Sequence, residues 1–489
     1  MVSYTRRTVL ALLLALVLVF SGKAYGKDTP GLGRDLPLAA GFCASKVSTL
    51  MQADEPEKAV AELTAFRTRA AGMDPVTAEK RGYTHYYIDF LLGTCLMVLD
   101  GKQPDSDMVR RAATAFERVT DKRPDLSPAW LNLAQCRYRL EERASAARAF
   151  IRGYDTAEEK DPQHRYYAAA CFYFAGQHQA ALDTFSRLAD VHPDAIRLEW
   201  KETPVNALFA LDRNREALPW IKELARLNQG RKKKQWQEVL LHQYLALDMD
   251  DKALAYARFL TRSDAPEPRW WKSLAHIHLD KNRLEHGLQS LMIYGFLKPL
   301  SLKEKRLMAD LFMACNIPLE AARYYEGWLE QAGAEADGGE DKKTDHISEQ
   351  MRRAANAYRH GGLPGKALAW AEKGLAFRAD AGLLRLKADL LFEAGKYTAA
   401  CDTYGRLAEL EPHQGVGSLM MGYAAWNGEQ LETAATAFIR AAGFPKQRKA
   451  AQSALAQVRK IMARQAMDKD QDRNQDQDPG LQHAKKEPS

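Results

Sequence analysis

Most of the chain repeats one pattern: a small residue followed four positions later by a large apolar one, set among polar residues at helical spacing. It is plain in RRAATAFERV, ASAARAFIRG, HQAALDTFSRL, YTAACDTYGRL and LETAATAFIRA. Residues four apart share a face of an α-helix, so each segment reads as an amphipathic helix. The large positions are Phe116, Phe150, Phe185, Ile221, Ala257, Leu291, Tyr325, Ala371, Tyr404 and Phe438, with successive intervals of 34, 35, 36, 36, 34, 34, 46, 33 and 34. The small positions are Ala112, Ala146, Ala181, Ala217, Ala253, Gly287, Ala321, Ala367, Ala400 and Ala434. An earlier pair, Ala59 and Leu63, lies within Leu38–Ala70. The pattern predicts an all-α chain of ten to eleven helix-turn-helix units, each able to bury its apolar stripes only by stacking on its neighbours.

A period near 34 residues with this small–large pair resembles the tetratricopeptide repeat (TPR) family over residues 36–445. Trp130, Leu133 and Ala134 match the start of the family pattern, and Pro124, Pro193, Pro299 and Pro412 stand where one helix pair ends and the next opens. The resemblance implies a right-handed α-solenoid whose inner groove is lined by the first helix of each pair.

Two places break the period. The 46-residue interval contains QAGAEADGGEDKKTD, which reads as an exposed acidic, Gly-rich loop at 331–346 and a candidate hinge between an N-terminal array (27–330) and a C-terminal array (347–445). Pro204 falls in an expected first helix, which must either start afresh at Thr203-Pro204 or kink. A terminal solvating helix is expected at 446–466, followed by a disordered polar tail at 467–489.

Composition narrows the setting. At 46% hydrophobic and 27% charged residues the chain is neither a multi-span membrane protein nor wholly disordered. The apolar run Val9–Phe20, preceded by Arg6 and Arg7 and followed by Ala24-Tyr25-Gly26, reads as a cleaved signal peptide over 1–26. Its loss removes Arg6, Arg7 and Lys23 and takes the formal charge from +7 to +4, a balance that points away from nucleic acid. The expectation is export, with no stable membrane insertion after cleavage. The basic run Arg231–Lys234 reads as a solvated turn. Six cysteines without a C-x-x-C pair read as buried thiols, with Cys43 and Cys95 the pair to consider if a disulfide forms.

No catalytic, cofactor or metal site emerges. Asp468, Asp470, Asp472, Asn474 and Asp476 alternate like calcium ligands, but Arg473 and Pro479 occupy the places that need Gly and Glu. Gly361–Ala367 lacks the first Gly and the Ser/Thr of a phosphate loop and reads as a turn within a helix pair. The expectation is a protein that is not an enzyme.

The groove is therefore the candidate site. With the small residue as position 20, position 5 reads Lys272, Arg306, Arg352 and Arg385 in four successive units; position 2 adds Arg269 and Lys303; position 9 reads His276, Asp310, Asn356 and Asp389. This cationic ladder with hydrogen-bonding neighbours suits a protein or extended peptide with acidic groups. Arg352 and Asn356 match the family's carboxylate clamp, whereas Leu386 departs from it. Earlier units offer a candidate apolar groove of Tyr138, Tyr166, Tyr173, Phe174 and Phe209, which core packing would explain equally well.

Residues from about Trp200 to Phe444 resemble one subgroup, the exported TPR proteins associated with the TonB/ExbB/ExbD system of Gram-negative bacteria. The resemblance rests on LPWIKEL (Leu218–Leu224), PRWWKSLAHIHL (Pro268–Leu279) and LSLKEKRLMADLFMACNIPLEAARYYE (Leu300–Glu326). It implies a periplasmic scaffold assisting TonB-dependent energy transduction by holding a peptide segment. The alternative is a scaffold for outer-membrane protein, polysaccharide or pilus assembly.

Overall fold

The computed structural model describes residues 35–335 and 340–476. The expected signal peptide at 1–26 and the last thirteen residues of the predicted tail lie outside them. The described residues form 24 α-helices and no strand, in two compact units that meet between Asp250 and Asp251.

The first unit holds α1 (Leu38–Gln52), α2 (Pro56–Thr68), short α3 (Pro75–Lys80), α4 (Tyr86–Lys102), α5 (Ser106–Lys122), α6 (Ser127–Arg139), α7 (Arg143–Thr156), α8 (Pro162–Phe174), α9 (His178–Val191), α10 (Glu202–Ala210), α11 (Asn214–Leu227) and α12 (Gly230–Ala246). The second holds α13 (Asp250–Ser263), α14 (Pro268–Asp280), α15 (Leu284–Leu297), α16 (Leu302–Ala314), α17 (Pro318–Glu335), α18 (Glu340–His360), α19 (Pro364–Phe377), α20 (Ala381–Glu393), α21 (Tyr397–Leu410), α22 (Val416–Asn427), α23 (Leu431–Ala442) and α24 (Arg448–Asp476). From α4 to α12 and from α14 to α24, consecutive helices pack in order along the chain, as in an α-solenoid, and α2 packs on α4 past the short α3.

Every small–large pair lies on a second helix, and every one is buried: the small alanines from Ala59 to Ala434 are at most 1% exposed, Gly287 is buried too, and the large residues are at most 3% exposed. Gly287 takes the small position on α15 because Leu279 fills the space; a Cβ there would lie 2.5 Å from Leu279 Cδ2. Pro124, Pro193, Pro299 and Pro412 each stand two residues beyond the end of a second helix.

The turn inside the pair has its own code, five residues before the small position. Asp54, Glu141, Asp212, Asp248, Asn282, Asn316 and Glu429 adopt positive φ there, as do Gly176, Gly362 and Gly395. The next residue's N–H then bonds back to the carbonyl five residues earlier, as from Glu142 to Arg137 and from Leu363 to Tyr358. This Schellman closure satisfies carbonyls that the helix end leaves open, and the left-handed residue it needs is usually Gly or a short polar side chain. The Gly361–Ala367 segment is such a turn.

Several boundaries differ from the sequence reading. The segment read as a loop at 331–346 is helical through Glu335 and again from Glu340, because Ala, Gln, Glu and Lys favour helix; only 336–339 remain outside the described residues. It does not divide the core: Ala321, Ala322 and Tyr325 of α17 share one cluster with Ala354, Ala355 and Tyr358 of α18. Near Pro204 the helix starts afresh, with Pro204 in the first turn of α10 after a short 3₁₀ turn at Leu198–Lys201. Arg231–Lys234 forms the first turn of α12, where Lys232 pairs with Glu202 at 2.5 Å. The terminal helix α24 caps the array through Ala451, Ala454 and Val458 and runs ten residues past the predicted end, since no helix breaker occurs before Pro479.

Candidate functional site

The first helices α14, α16, α18 and α20 carry the predicted ladder, and the structure supplies each position-5 cation with a carboxylate. Lys272 Nζ lies 2.6 Å from Glu304 Oε1, Arg306 Nε 3.8 Å from Asp310, Arg352 Nε 3.0 Å from Glu349, and Arg385 3.4 Å from Glu411. Arg269 turns back onto Glu267 at 2.9 Å with its guanidinium 5.4 Å from the Trp270 ring. Lys303 and His276 are exposed, and half-buried Asn356 makes no side-chain hydrogen bond among the described residues.

The distribution of these partners is uneven. Glu304 is saturated: it accepts from Lys272, from Tyr294 Oη at 2.9 Å, and from the backbone N–H and hydroxyl of Ser301 at 2.9 and 2.8 Å, completing a capping box on α16. Burial pushes its carboxyl up, but these four donors outweigh burial and hold it down to about 2. On α16 and α18, by contrast, Arg306, Asp310, Arg353, Glu349 and Arg352 form one chain of contacts, with Arg353 bonded to Asp310 at 2.7 Å and to Glu349 at 3.0 Å. Three guanidiniums share two carboxylates there, and exposed Lys303 pairs with no carboxylate among the described residues. Gly382 of α20 leaves room for this cluster, since a Cβ there would come within 2.9 Å of Arg352 Cδ.

Asp310 and Asp389 have a different role from the one their position suggests. Each accepts a 2.6 Å bond from the tyrosine hydroxyl at the large position of its own second helix, Tyr325 and Tyr404. Both tyrosines are buried, and burial together with the adjacent carboxylate pushes their hydroxyls well above the usual range. The signal was in the sequence: where the large residue is Tyr, at Tyr325 and Tyr404, position 9 is Asp; where it is Phe150, Phe185 or Phe438, position 9 is Gln135, Ala170 or Tyr423. A buried hydroxyl needs an acceptor, and a phenyl ring does not.

In the first unit the apolar candidates separate. Tyr166 is corrected to core: it is 3% exposed and stacks on buried Trp200, rings 4.6 Å apart and 8° from parallel, and burial pushes its hydroxyl up to about 12. Tyr138 and Tyr173 pack against the same core, Tyr138 beneath the Arg143 guanidinium at 4.1 Å and Tyr173 edge-on to Phe174 at 5.4 Å. Phe174 and Phe209 are half-buried. Cys43, Cys95, Cys136 and Cys171 lie in this core without a disulfide; burial pushes Cys43 up to about 11 and Cys136 and Cys171 to about 12, so these three stay protonated and inert.

Sequence reasoning missed a buried ion cluster in this unit. Asp89, 1% exposed on α4, is gripped by Arg67 of α2 at 3.1 Å and Arg118 of α5 at 2.9 Å. Among the described residues no group of three or more His, Cys, Asp or Glu is placed to hold a metal, and no helix is long and apolar enough to cross a membrane.

The tetratricopeptide repeat model matches residues 165–195, which cover α8 and α9. The described residues fold as stacked helix pairs of an α-solenoid, and the match assigns the α8–α9 pair to the tetratricopeptide repeat. The helix pairs have distant structural likenesses. One is the structure of Naa15/Naa10 bound to HypK-THB, with a TM-score of 0.40 and 13% identity over 86% of this chain and 65% of that one, so less than two thirds of that chain is spanned. Another is YrrB, described as a TPR protein with an unusual peptide-binding site, with a TM-score of 0.30 and 16% identity over 39% of this chain and 96% of that one. The P58(IPK) TPR domain gives a TM-score of 0.22 and 11% identity over 78% and 99%. No curated protein matches the chain by sequence.

Proposed function

We propose that the chain is a protein-binding scaffold and that the first-helix face of the second unit holds an extended, acidic segment of its partner. One observation carries the reading. Among the described side chains, Arg306, Arg352 and Arg353 pair only with Asp310 and Glu349 and exposed Lys303 pairs with no carboxylate, so cations outnumber carboxylates in this part of α16 and α18, and Asn356, with no side-chain hydrogen bond among these residues, stands beside them. A partner carboxylate would complete the pairing, and Arg offers it planar, two-pronged recognition. The flanking cations Lys272 and Arg385 already have their own carboxylates, which confines the acidic contact to the middle of the ladder.

The finer reading takes residues 1–26 as an export signal, from the apolar run Val9–Phe20 and its flanks, and a TonB-system component as the partner, from the sequence resemblance alone. The test is cross-linking capture from the envelope with wild-type protein and with the Arg306→Glu/Arg352→Glu variant. The expected result is loss of partner capture with unchanged helical circular dichroism. Undiminished capture by the variant would dismiss the face, and capture of outer-membrane assembly factors without any TonB-system protein would dismiss the TonB assignment.

A further inference from the structure

The position-5 cations of the first helices have carboxylate partners, but among the described residues the cations on the outer face of α13 and α15 do not. Arg258, Arg262 and Lys298 are exposed and have no carboxylate partner among the described residues. They stand among exposed apolar side chains: Phe296 is 85% exposed, Phe259 56%, Leu297 40% and Ile293 36%. Tyr256 lies nearly parallel to Phe259, ring centroids 6.0 Å apart. The repeat register aligns these residues. Phe259 and Ile293 each follow their small position by six residues, and Arg262 and Phe296 by nine, so they occupy equivalent places on successive second helices. The acids at this end, Asp264 and Glu267, are engaged, Glu267 by Arg269 at 2.9 Å. Exposed Glu285 lies at the opposite end of α15, about 16 Å from Phe296 at the helical rise.

We propose that this outer face docks the surface of an anionic lipid bilayer, Phe296 and Phe259 entering the interface while Arg258, Arg262 and Lys298 meet the headgroups. Charge complementarity and shape decide for lipid. A partner peptide gains from concavity, with walls around its anchoring side chain. Phe296, 85% exposed at the last turn of α15, has no such walls. A bilayer interface accepts protruding aromatic side chains and attracts basic ones around them. The inference is independent of the acidic-peptide reading, since it uses the opposite helices of the pairs.

The experiment must separate this face from the apolar run Val9–Phe20, so the probe is placed on the face itself. In the full-length chain, a nitrobenzoxadiazole fluorophore on Phe296→Cys is titrated with vesicles of phosphatidylglycerol and phosphatidylcholine in equal parts, and with phosphatidylcholine alone; the same label on Ala376→Cys of α19 is the control. Unmodified protein carried through the labelling corrects for reaction at the native thiols. The expected result is a blue shift at position 296 with the anionic vesicles, none at 376, and at least about tenfold weaker binding when Arg262→Glu/Lys298→Glu is added, each basic residue near an anionic surface contributing severalfold. High salt should weaken it likewise. No shift at 296, an equal shift with neutral vesicles, or unchanged affinity in the charge-reversed protein would overturn the proposal. So would a shift produced only by an acidic amphipathic peptide, which would reassign the face to protein docking.

Discussion

Replacing Glu304 by Gln removes a charge while keeping the shape of the side chain, and it strikes a point where three helices are tied together. The carboxylate accepts from Lys272 of α14, from Tyr294 of α15 and from Ser301 at the start of α16. A carboxyl held at about 2 instead of its usual 4.5 corresponds to about 3 kcal/mol of linkage at neutral pH. Lys272 is 44% exposed, so solvent screening reduces the expected loss in Glu304→Gln to about 1–2 kcal/mol. The folded carboxyl has the lower pKa, so its contribution is complete above about pH 4.5 and is lost as the pH falls towards 2. Urea unfolding followed by circular dichroism should show the wild-type protein more stable at pH 7 and the difference shrinking below pH 4.5. Because each repeat contacts only its neighbours, hydrogen exchange at pH 7 should locate the weakening in α14–α16 and leave the first unit untouched. Equal stability at pH 7, or a difference that persists unchanged to pH 2.5, would show that the charge on Glu304 does not hold these helices.

Other consequences are as direct. Asp389→Ala should cost about 1–3 kcal/mol because it strands the buried Tyr404 hydroxyl, and adding Tyr404→Phe should recover most of that; an additive double-mutant cycle would contradict the bond. Asp89→Asn should cost about 3–5 kcal/mol by leaving Arg67 and Arg118 without their counter-charge, read as faster exchange and proteolysis confined to α2–α5.

The repeat was legible because its period depends on burial, which a sequence records directly: the small–large pair must recur wherever one helix pair packs on the next. The turns were legible in principle too, since Asp, Asn, Glu or Gly recurs five residues before the small position. What misled was composition. Residues 331–335 and 340–346 are polar enough to resemble a loop, yet residues that favour helix extend α17 and α18 into them. Within the ladder, the spacing identified the cations and some of their partners. Glu304 announces itself through the Ser301-x-x-Glu304 capping box, and Glu349 and Asp310 stand three and four residues from Arg352 and Arg306 on the same helices, but Lys272 meets Glu304 and Arg385 meets Glu411 by tertiary geometry that no spacing rule encodes. Asp89, Arg67 and Arg118 sit on three separate helices, so their meeting follows from packing alone.

The central claim is that partners meet the first helices of the second unit, and it can be tested within one repeat. A photo-crosslinking residue is placed at Asn356, on α18 within the cationic cluster, and separately at exposed Ala376, on the second helix α19 of the same pair. The account predicts that captured proteins cross-link at 356 and not at 376, and that Arg306→Glu/Arg352→Glu removes the cross-link at 356. Cross-linking of the same proteins at 376 alone, or at 356 regardless of the charge reversal, would contradict it.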